Sequence, residues 1–332
     1  MKFYRVDLMK TKAIKIYKQG NVEELKVEET FLRNIGEDDI IIEHQFCGLN
    51  YIDINQRNGL YPLKKLPTEV GMEASGVVIE IGKNVNNFEI GDKVCHCMNI
   101  GSFSKKFVVN KKRVIKLDDK TDLKIAASAT LQGLTAQYLL HHSWSLKKNH
   151  TILVHAVSGG VGQLLCQWAK LIGANIIGTV GSKEKENVAK SLGCDFVINY
   201  NENDFEKLSL DFTKGDGVDV IYDSVGKSTF HKGINILKKK GRIVSFGISS
   251  GKIEPFDINK LRPISGSIAT GGLLTYISNP KEMQDNANQL FNLINQEKLK
   301  ISIYKEYKIE EIQKAHHQLE SRKTTGKIIL NI

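Results

Sequence analysis

The stretch Thr151-Ile152-Leu153-Val154-His155-Ala156-Val157-Ser158-Gly159-Gly160-Val161-Gly162 leaves few folds open to this chain. It begins with a short apolar, β-branched run and passes through a turn of small residues. It then continues into a helical pattern in which Leu164, Leu165, Trp168, Ala169 and Ile172 fall on one face. A strand-turn-helix unit of this kind aims the first backbone N–H groups of its helix at an anion, and glycine lets a pyrophosphate approach without meeting a Cβ. The spacing Val157-x-Gly159-x-x-Gly162 keeps two glycines of the usual G-x-G-x-x-G and puts valine in the first place. Ser158, Gly159, Gly160, Val161 and Gly162 are therefore read as a dinucleotide seat.

A second strand, 175–180, follows the helix, and the adenosine ribose of a dinucleotide would lie at its tip. NAD-selective proteins carry Asp or Glu about 20 residues past the glycines. This strand instead ends Thr179-Val180-Gly181-Ser182-Lys183-Glu184-Lys185. Gly181 leaves room, Ser182 offers a hydroxyl, and Lys183 or Lys185 offers the positive charge that a 2′-phosphate requires. The expected cofactor is NADPH rather than NADH. A plainer reading stays open for the lysines, namely that they begin a solvated helix with Glu184 and Glu186.

From Thr151 onward strand and helix patterns alternate, ending with helix over 228–237 and strand over 242–246, and the sheet is expected to continue through 265–269. That rhythm predicts right-handed βαβ crossovers and a doubly wound parallel sheet. Before it, short strands with glycine punctuation, including Gly71-x-Glu73-x-x-Gly76 and Gly91-Asp92-Lys93-Val94, predict a mostly β domain. The closing Gly326-Lys327-Ile328-Ile329-Leu330 reads as the last strand of that first domain. The expected division is 1–131 with 272–332 for the β-rich domain, and 132–271 for the nucleotide-binding domain.

Five scattered cysteines do not form a disulfide framework. In Cys95-His96-Cys97 an extended strand would point the cysteines one way and the histidine the other, so no metal site is expected. No apolar run reaches membrane-spanning length, and Met1-Lys2-Phe3-Tyr4-Arg5-Val6-Asp7 lacks signal-peptide character, so a cytoplasmic protein with no membrane partner is expected. The net charge of +10 is spread over short basic runs without interleaved aromatics, which points to solubility and attraction of an anionic cofactor before nucleic acid.

Taken together, these motifs, with Asp223-Ser224-Val225-Gly226, resemble the medium-chain dehydrogenase/reductase superfamily. Gly48-Leu49-Asn50-Tyr51-Ile52-Asp53, Gly59-Leu60-Tyr61-Pro62 and Leu131-x-Gly133-Leu134-Thr135-Ala136 are similar to its NADPH quinone oxidoreductase branch of the zeta-crystallin type. The likeness spans roughly Lys12 to the C-terminus. It implies a GroES-like catalytic domain beside a Rossmann domain, and a homodimer. Where the alcohol dehydrogenase branch places a zinc-binding Cys and His, this chain has Asn50 and Met72, so a zinc-independent enzyme is expected.

The resemblance also implies site roles. Asn50 and Tyr61 would line the cleft and position the nicotinamide or the acceptor, a quinone or another activated carbonyl, while Asp53 would orient their loop. Thr135 would contact the nicotinamide side and Ser245-Phe246-Gly247 its ribose, with Ser224 also among the cofactor-binding residues. Gly181, Ser182, Lys185, Tyr200 and Arg322 would form the 2′-phosphate pocket. Relatives often carry Arg-Pro where this chain has Ala269-Thr270-Gly271-Gly272-Leu273, a shorter and uncharged loop. Two rival readings remain, an NADPH-dependent 2-alkenal or enone reductase and an NADPH-linked RNA-binding protein.

Overall fold

The computed structural model describes residues 9–332. The readings that concern Met1–Asp7 lie outside the described residues. The chain divides into two units, one of residues 1–131, 277–295 and 301–332, the other of residues 132–276 and 296–300. The expected division differs from this at 272–276 and 296–300, which pack with the second unit. Tyr276 stacks on Tyr138 with ring centroids 4.2 Å apart, and the Gln167 side chain bonds the Lys300 backbone in both directions, at 3.1 and 2.8 Å.

In the first unit the strands are β1 (Lys10–Ile16), β2 (Lys26–Phe31), β3 (Asp39–Leu49), β4 (Thr68–Glu69), β5 (Glu73–Ile81), β6 (Lys93–Cys97), β7 (Lys106–Asn110) and β8 (Ile115–Lys116). Helix α1 (Tyr51–Arg57) follows β3, and α2 (Leu123–Tyr138) runs across the boundary between the units. The second unit contains strands β9 (Thr151–Val154), β10 (Asn175–Val180), β11 (Phe196–Asn199), β12 (Val218–Asp223), β13 (Leu237–Ser245) and β14 (Ser267–Thr270). Its further helices are α3 (Gly160–Ile172), α4 (Lys183–Ser191), α5 (Phe205–Phe212), α6 (Phe230–Ile234) and α7 (Leu273–Tyr276). Helix α8 (Pro280–Asn295), strand β15 (Ile303–Lys308), helix α9 (Ile312–Glu320) and strand β16 (Lys327–Asn331) return the chain to the first unit.

Six parallel strands of the second unit run in the order β11-β10-β9-β12-β13-β14, the doubly wound order whose direction of progression reverses between β9 and β12. Leu164, Leu165, Trp168 and Ala169 of α3 are buried, as the helical spacing requires, and Leu153, Ile177, Ile198, Val218, Ile221 and Ile243 share one core. Two boundaries depart from the periodicity. Helix α6 covers only 230–234 of the expected 228–237, and β13 starts at Leu237 rather than at residue 242. Pairing with β12 shifts register between Val218↔Leu237 and Val220↔Arg242, so the exposed Lys238-Lys239-Lys240 turn is carried inside a strand.

The first unit is built on a seven-stranded sheet, β15-β16-β3-β5-β6-β8 with β7 also on β3, and a three-stranded sheet, β2-β1-β4. Strand β6 alternates as expected. Its His96 meets His44 of β3, with Nε2 atoms 2.9 Å apart, and stacks on Phe107 at a centroid distance of 5.3 Å. His44 Nδ1 is 2.8 Å from the Ser104 carbonyl and must donate to it. His44 Nε2 therefore accepts from His96 Nε2–H, and His96 Nδ1 accepts from the Asn99 amide at 3.3 Å. Each ring is thus locked in one neutral tautomer. Burial pushes His44 down to about 4 and His96 well below the ordinary histidine value.

An unfolded chain takes up protons on these rings below about pH 6.5, whereas the folded rings stay neutral, so the fold loses stability as pH falls through that range. His96→Gln keeps a donor and an acceptor but does not titrate. We predict that its stability deficit against the wild type narrows by about 1.4 kcal/mol for each pH unit between about 6.5 and 5, measured by urea unfolding. A deficit independent of pH would show that His96 is not held neutral.

Candidate functional site

Three neighbouring strands of the first unit deliver one polar cluster. Strand β3 is antiparallel to both β16 and β5, so its C-terminal end lies beside the first residues of the other two. Those positions are Asn50 just past β3, Lys327 opening β16 and Glu73 opening β5. Lys327 Nζ donates to Asn50 Oδ1 and to Glu73 Oε2, both at 2.6 Å, and Asn50 Nδ2 donates to Glu73 Oε2 at 2.8 Å and to the Gly48 carbonyl at 3.1 Å. The other Glu73 oxygen accepts from the Leu131 backbone N–H at 2.6 Å. Every member is buried, Glu73 at 0% exposure and Lys327 at 2%. Gly48 is required beside them, because a Cβ there would lie 2.5 Å from Glu73 Oε2 and 2.7 Å from Lys327 Cε.

Asn50 also starts α1. Its backbone N–H donates to Asp53 Oδ2 at 2.7 Å in a capping box. Burial raises the Asp53 carboxyl to about 8, next to a cluster in which Glu73 and Lys327 pair. Tyr61, half-buried, is fixed through its backbone: its N–H donates to the Asn55 carbonyl at 2.8 Å and its carbonyl accepts from Gln19 at 3.0 Å.

The second unit carries the expected cofactor residues other than Arg322, and all of these but Thr135 of α2 lie at or after the carboxyl ends of its strands. After β9, Ala156 adopts a left-handed φ of 52° and its carbonyl accepts from the Gly159 N–H at 2.8 Å. Gly159 is the N-cap of α3, with no side-chain cap, so the N–H groups of Gly160, Val161 and Gly162 open the helix without intrahelical acceptors. A Cβ on Gly162 would lie 2.6 Å from the Ala156 carbonyl, and one on Gly160 would lie 2.2 Å from the Gln132 side-chain oxygen. Ser158 is buried and its carbonyl accepts from Gln163 at 2.8 Å. This uncapped, glycine-lined helix start fits a pyrophosphate.

At the tips of β10 and β11, the Tyr200 hydroxyl lies over Gly181, 2.6 Å from where a Cβ would stand. Asn201 donates to the Gly181 carbonyl at 2.8 Å, Ser182 caps α4 by position and donates to Glu184 at 2.9 Å, and Lys185 is half-buried in the first turn of α4. Ser224 follows β12, and Phe246 and Gly247 follow β13. The Phe246 N–H donates to the Asp223 carbonyl at 2.9 Å, and a Cβ on Gly247 would lie 2.7 Å from the Ser224 carbonyl. Thr135 is buried on α2. Arg322 belongs to the first unit, in the turn after α9, with a left-handed φ of 58°.

Residues 36–150 match the family model of the alcohol dehydrogenase GroES-like domain, and residues 160–292 match that of the zinc-binding dehydrogenases. Quinone oxidoreductase 1 of Escherichia coli is 35% identical, over 96% of this chain and 98% of its own length. The crystal structure of the Escherichia coli quinone oxidoreductase complexed with NADPH superposes with a TM-score of 0.94, covering 97% of this chain and all of that one. The chain belongs to the quinone oxidoreductase family of medium-chain dehydrogenases/reductases. A 2-haloacrylate reductase from a Burkholderia species is 34% identical over 95% of this chain and 97% of its own length.

Zinc, which one family description implies, does not fit this quinone oxidoreductase homologue. Asn50 supplies an amide whose oxygen already takes an ammonium, and the buried Met72 thioether accepts from Gln56 at 3.4 Å. A divalent cation at Asn50 would face the positive Lys327 with no thiolate or imidazole to hold it. Glu73 and Lys327, 254 positions apart, are the site residues that sequence reasoning missed, although a lysine heading an apolar terminal strand was a signal. Lys327→Met should cost about 3–5 kcal/mol in chemical denaturation by leaving the Glu73 charge buried alone, and adding Glu73→Gln should restore most of it. Equal losses in the single and double variants would mean that the pair is not electrostatically coupled.

Proposed function

We propose that this chain reduces quinones with NADPH, without a metal. The observation that carries the reading is the open start of α3 at the reversal point of the parallel sheet, with Gly181, Lys185 and Tyr200 gathered one strand further out. Bound NADPH supplies the reducing equivalents, as a hydride or as electrons, from its nicotinamide ring. The chain supplies binding and orientation. In this reading the Gly160, Val161 and Gly162 amides take the pyrophosphate, and Gly181, Ser182, Lys185 and Tyr200 take the 2′-phosphate. Thr135, Ser224, Phe246 and Gly247 serve the nicotinamide end.

Asn50, with both ends of its amide engaged, and Asp53, capping α1, are proposed as positioning residues for the loop that leads to Tyr61. Tyr61 is proposed to orient the acceptor. With no Lewis acid to polarise a carbonyl, the acceptor must be electrophilic in itself, as a quinone is. The Burkholderia relative favours a second reading, reduction of an activated C=C bond. The homodimer and the cytoplasmic location implied by the family form part of the proposal, and sedimentation tests the former. The RNA-binding reading rests on the family resemblance and the net charge of +10.

We predict faster NADPH oxidation with 9,10-phenanthrenequinone than with a simple 2-alkenal. The reverse order would move the enzyme to the second reading, and a steeply salt-dependent affinity for RNA without either turnover would remove both. Lys185→Ala should weaken NADPH about ten- to a hundred-fold while leaving NADH nearly unchanged, as judged by KM for each coenzyme. Equal losses for the two would remove Lys185 from the phosphate pocket.

A further inference from the structure

Of the five cysteines, two meet. Cys166, in the middle of α3, and Cys194, in the turn between α4 and β11, bring their Sγ atoms to 3.3 Å. They are 28 positions apart and lie in the same unit. Cys166 is wholly buried and donates its S–H to the Leu192 carbonyl at 3.5 Å, which leaves its sulfur to accept from Cys194. Cys194 is partly exposed. Behind the pair, a Cβ on Gly178 of β10 would fall 2.8 Å from Cys194 Sγ and 2.7 Å from a Val157 methyl, so this glycine makes room for the second sulfur. The turn that carries Cys194 is itself pinned. Asp195 bonds Lys170 of α3 at 2.6 Å and the Ile176 N–H at 2.9 Å. The remaining thiols, Cys47, Cys95 and Cys97, are buried in the first unit, and burial raises each well above the usual thiol range.

We propose that Cys166 and Cys194 form a hydroperoxide-sensitive thiol pair that closes to a reversible disulfide between α3 and the α4–β11 turn. The proposal does not depend on which acceptor the enzyme reduces. Cys194, the accessible partner, attacks one oxygen of hydrogen peroxide as its thiolate. An S–O bond forms, the O–O bond breaks, and hydroxide leaves as water after taking a proton. Cys166 sulfur then attacks the sulfenic sulfur. The S–S bond forms, the S–O bond breaks, and the departing hydroxide takes the Cys166 proton as a second water. Two thiols have lost two electrons, and the peroxide has gained them. Closure brings the sulfurs from 3.3 Å to about 2.0 Å, a movement small enough for side-chain rotation with a slight approach of the pinned turn. In a reducing compartment a pair of this kind is reopened by dithiol exchange, which suits a transient redox site.

The test treats the reduced full-length protein with a small excess of hydrogen peroxide, alkylates it and maps its peptides by mass spectrometry. We expect a mass loss of about 2 Da, a fall from five to three alkylatable thiols and one cross-linked peptide pair containing Cys166 and Cys194, all reversed by dithiothreitol. In Cys166→Ser the same dose should leave a sulfenic acid on Cys194, trapped by dimedone, and Cys194→Ser should be unreactive. The wild-type peptide map stands without the variants if either fails to fold. Five alkylatable thiols after peroxide, a bond that joins other cysteines or two chains, or a Cys194→Ser protein that oxidises as fast as the wild type would overturn the proposal.

Discussion

One buried ammonium organises the first unit. Lys327 lies at the head of the terminal strand, and its two partners come from a loop and a strand more than 250 positions earlier. Desolvating such a charge is costly unless geometry and hydrogen bonding compensate, and here an amide and a carboxylate oxygen stand at the same short distance. The residue that supplies the amide, Asn50, starts α1, its backbone N–H donating to Asp53. The C-terminal strand, paired with β3, and the start of the proposed acceptor-binding loop therefore meet at this contact.

The second unit treats charge in the opposite manner. Its parallel strands are buried and apolar, and the polar groups that matter are backbone N–H donors left over at the start of α3. Glycine is needed there for closeness as well as for turn geometry, since carbonyls and side chains already occupy the places where Cβ atoms would stand. A seat of this kind needs an anion from outside to satisfy its donors. The cluster around Lys327 draws its partners from within the fold, Asn50 Oδ1 and Glu73 Oε2 both accepting from its ammonium.

Much of this was legible from residue order. The strand-turn-helix run placed β9 and α3, the missing carboxylate after Val180 separated NADPH from NADH, and Asn50 with Met72 removed the zinc ligands. Misreadings arose where local pattern and tertiary pairing disagreed. The lysine run 238–240 looked like a helix end and a turn, yet parallel pairing with β12 on both sides draws it into β13. Residues 296–300 look like part of the β-rich segment until Gln167 claims their backbone.

What the sequence determined by itself is whatever depends on near neighbours: the helical spacing that buries Leu164 to Ala169, the glycines after β9 and the strand alternation that turns His96 away from its flanking cysteines. Tertiary structure alone decided which distant groups share a buried space. His44 meets His96, Cys166 meets Cys194 and Lys327 meets Glu73 because elements far apart in sequence are packed together in the fold. No local propensity records that meeting, since its free energy comes from desolvation and pairing across the fold.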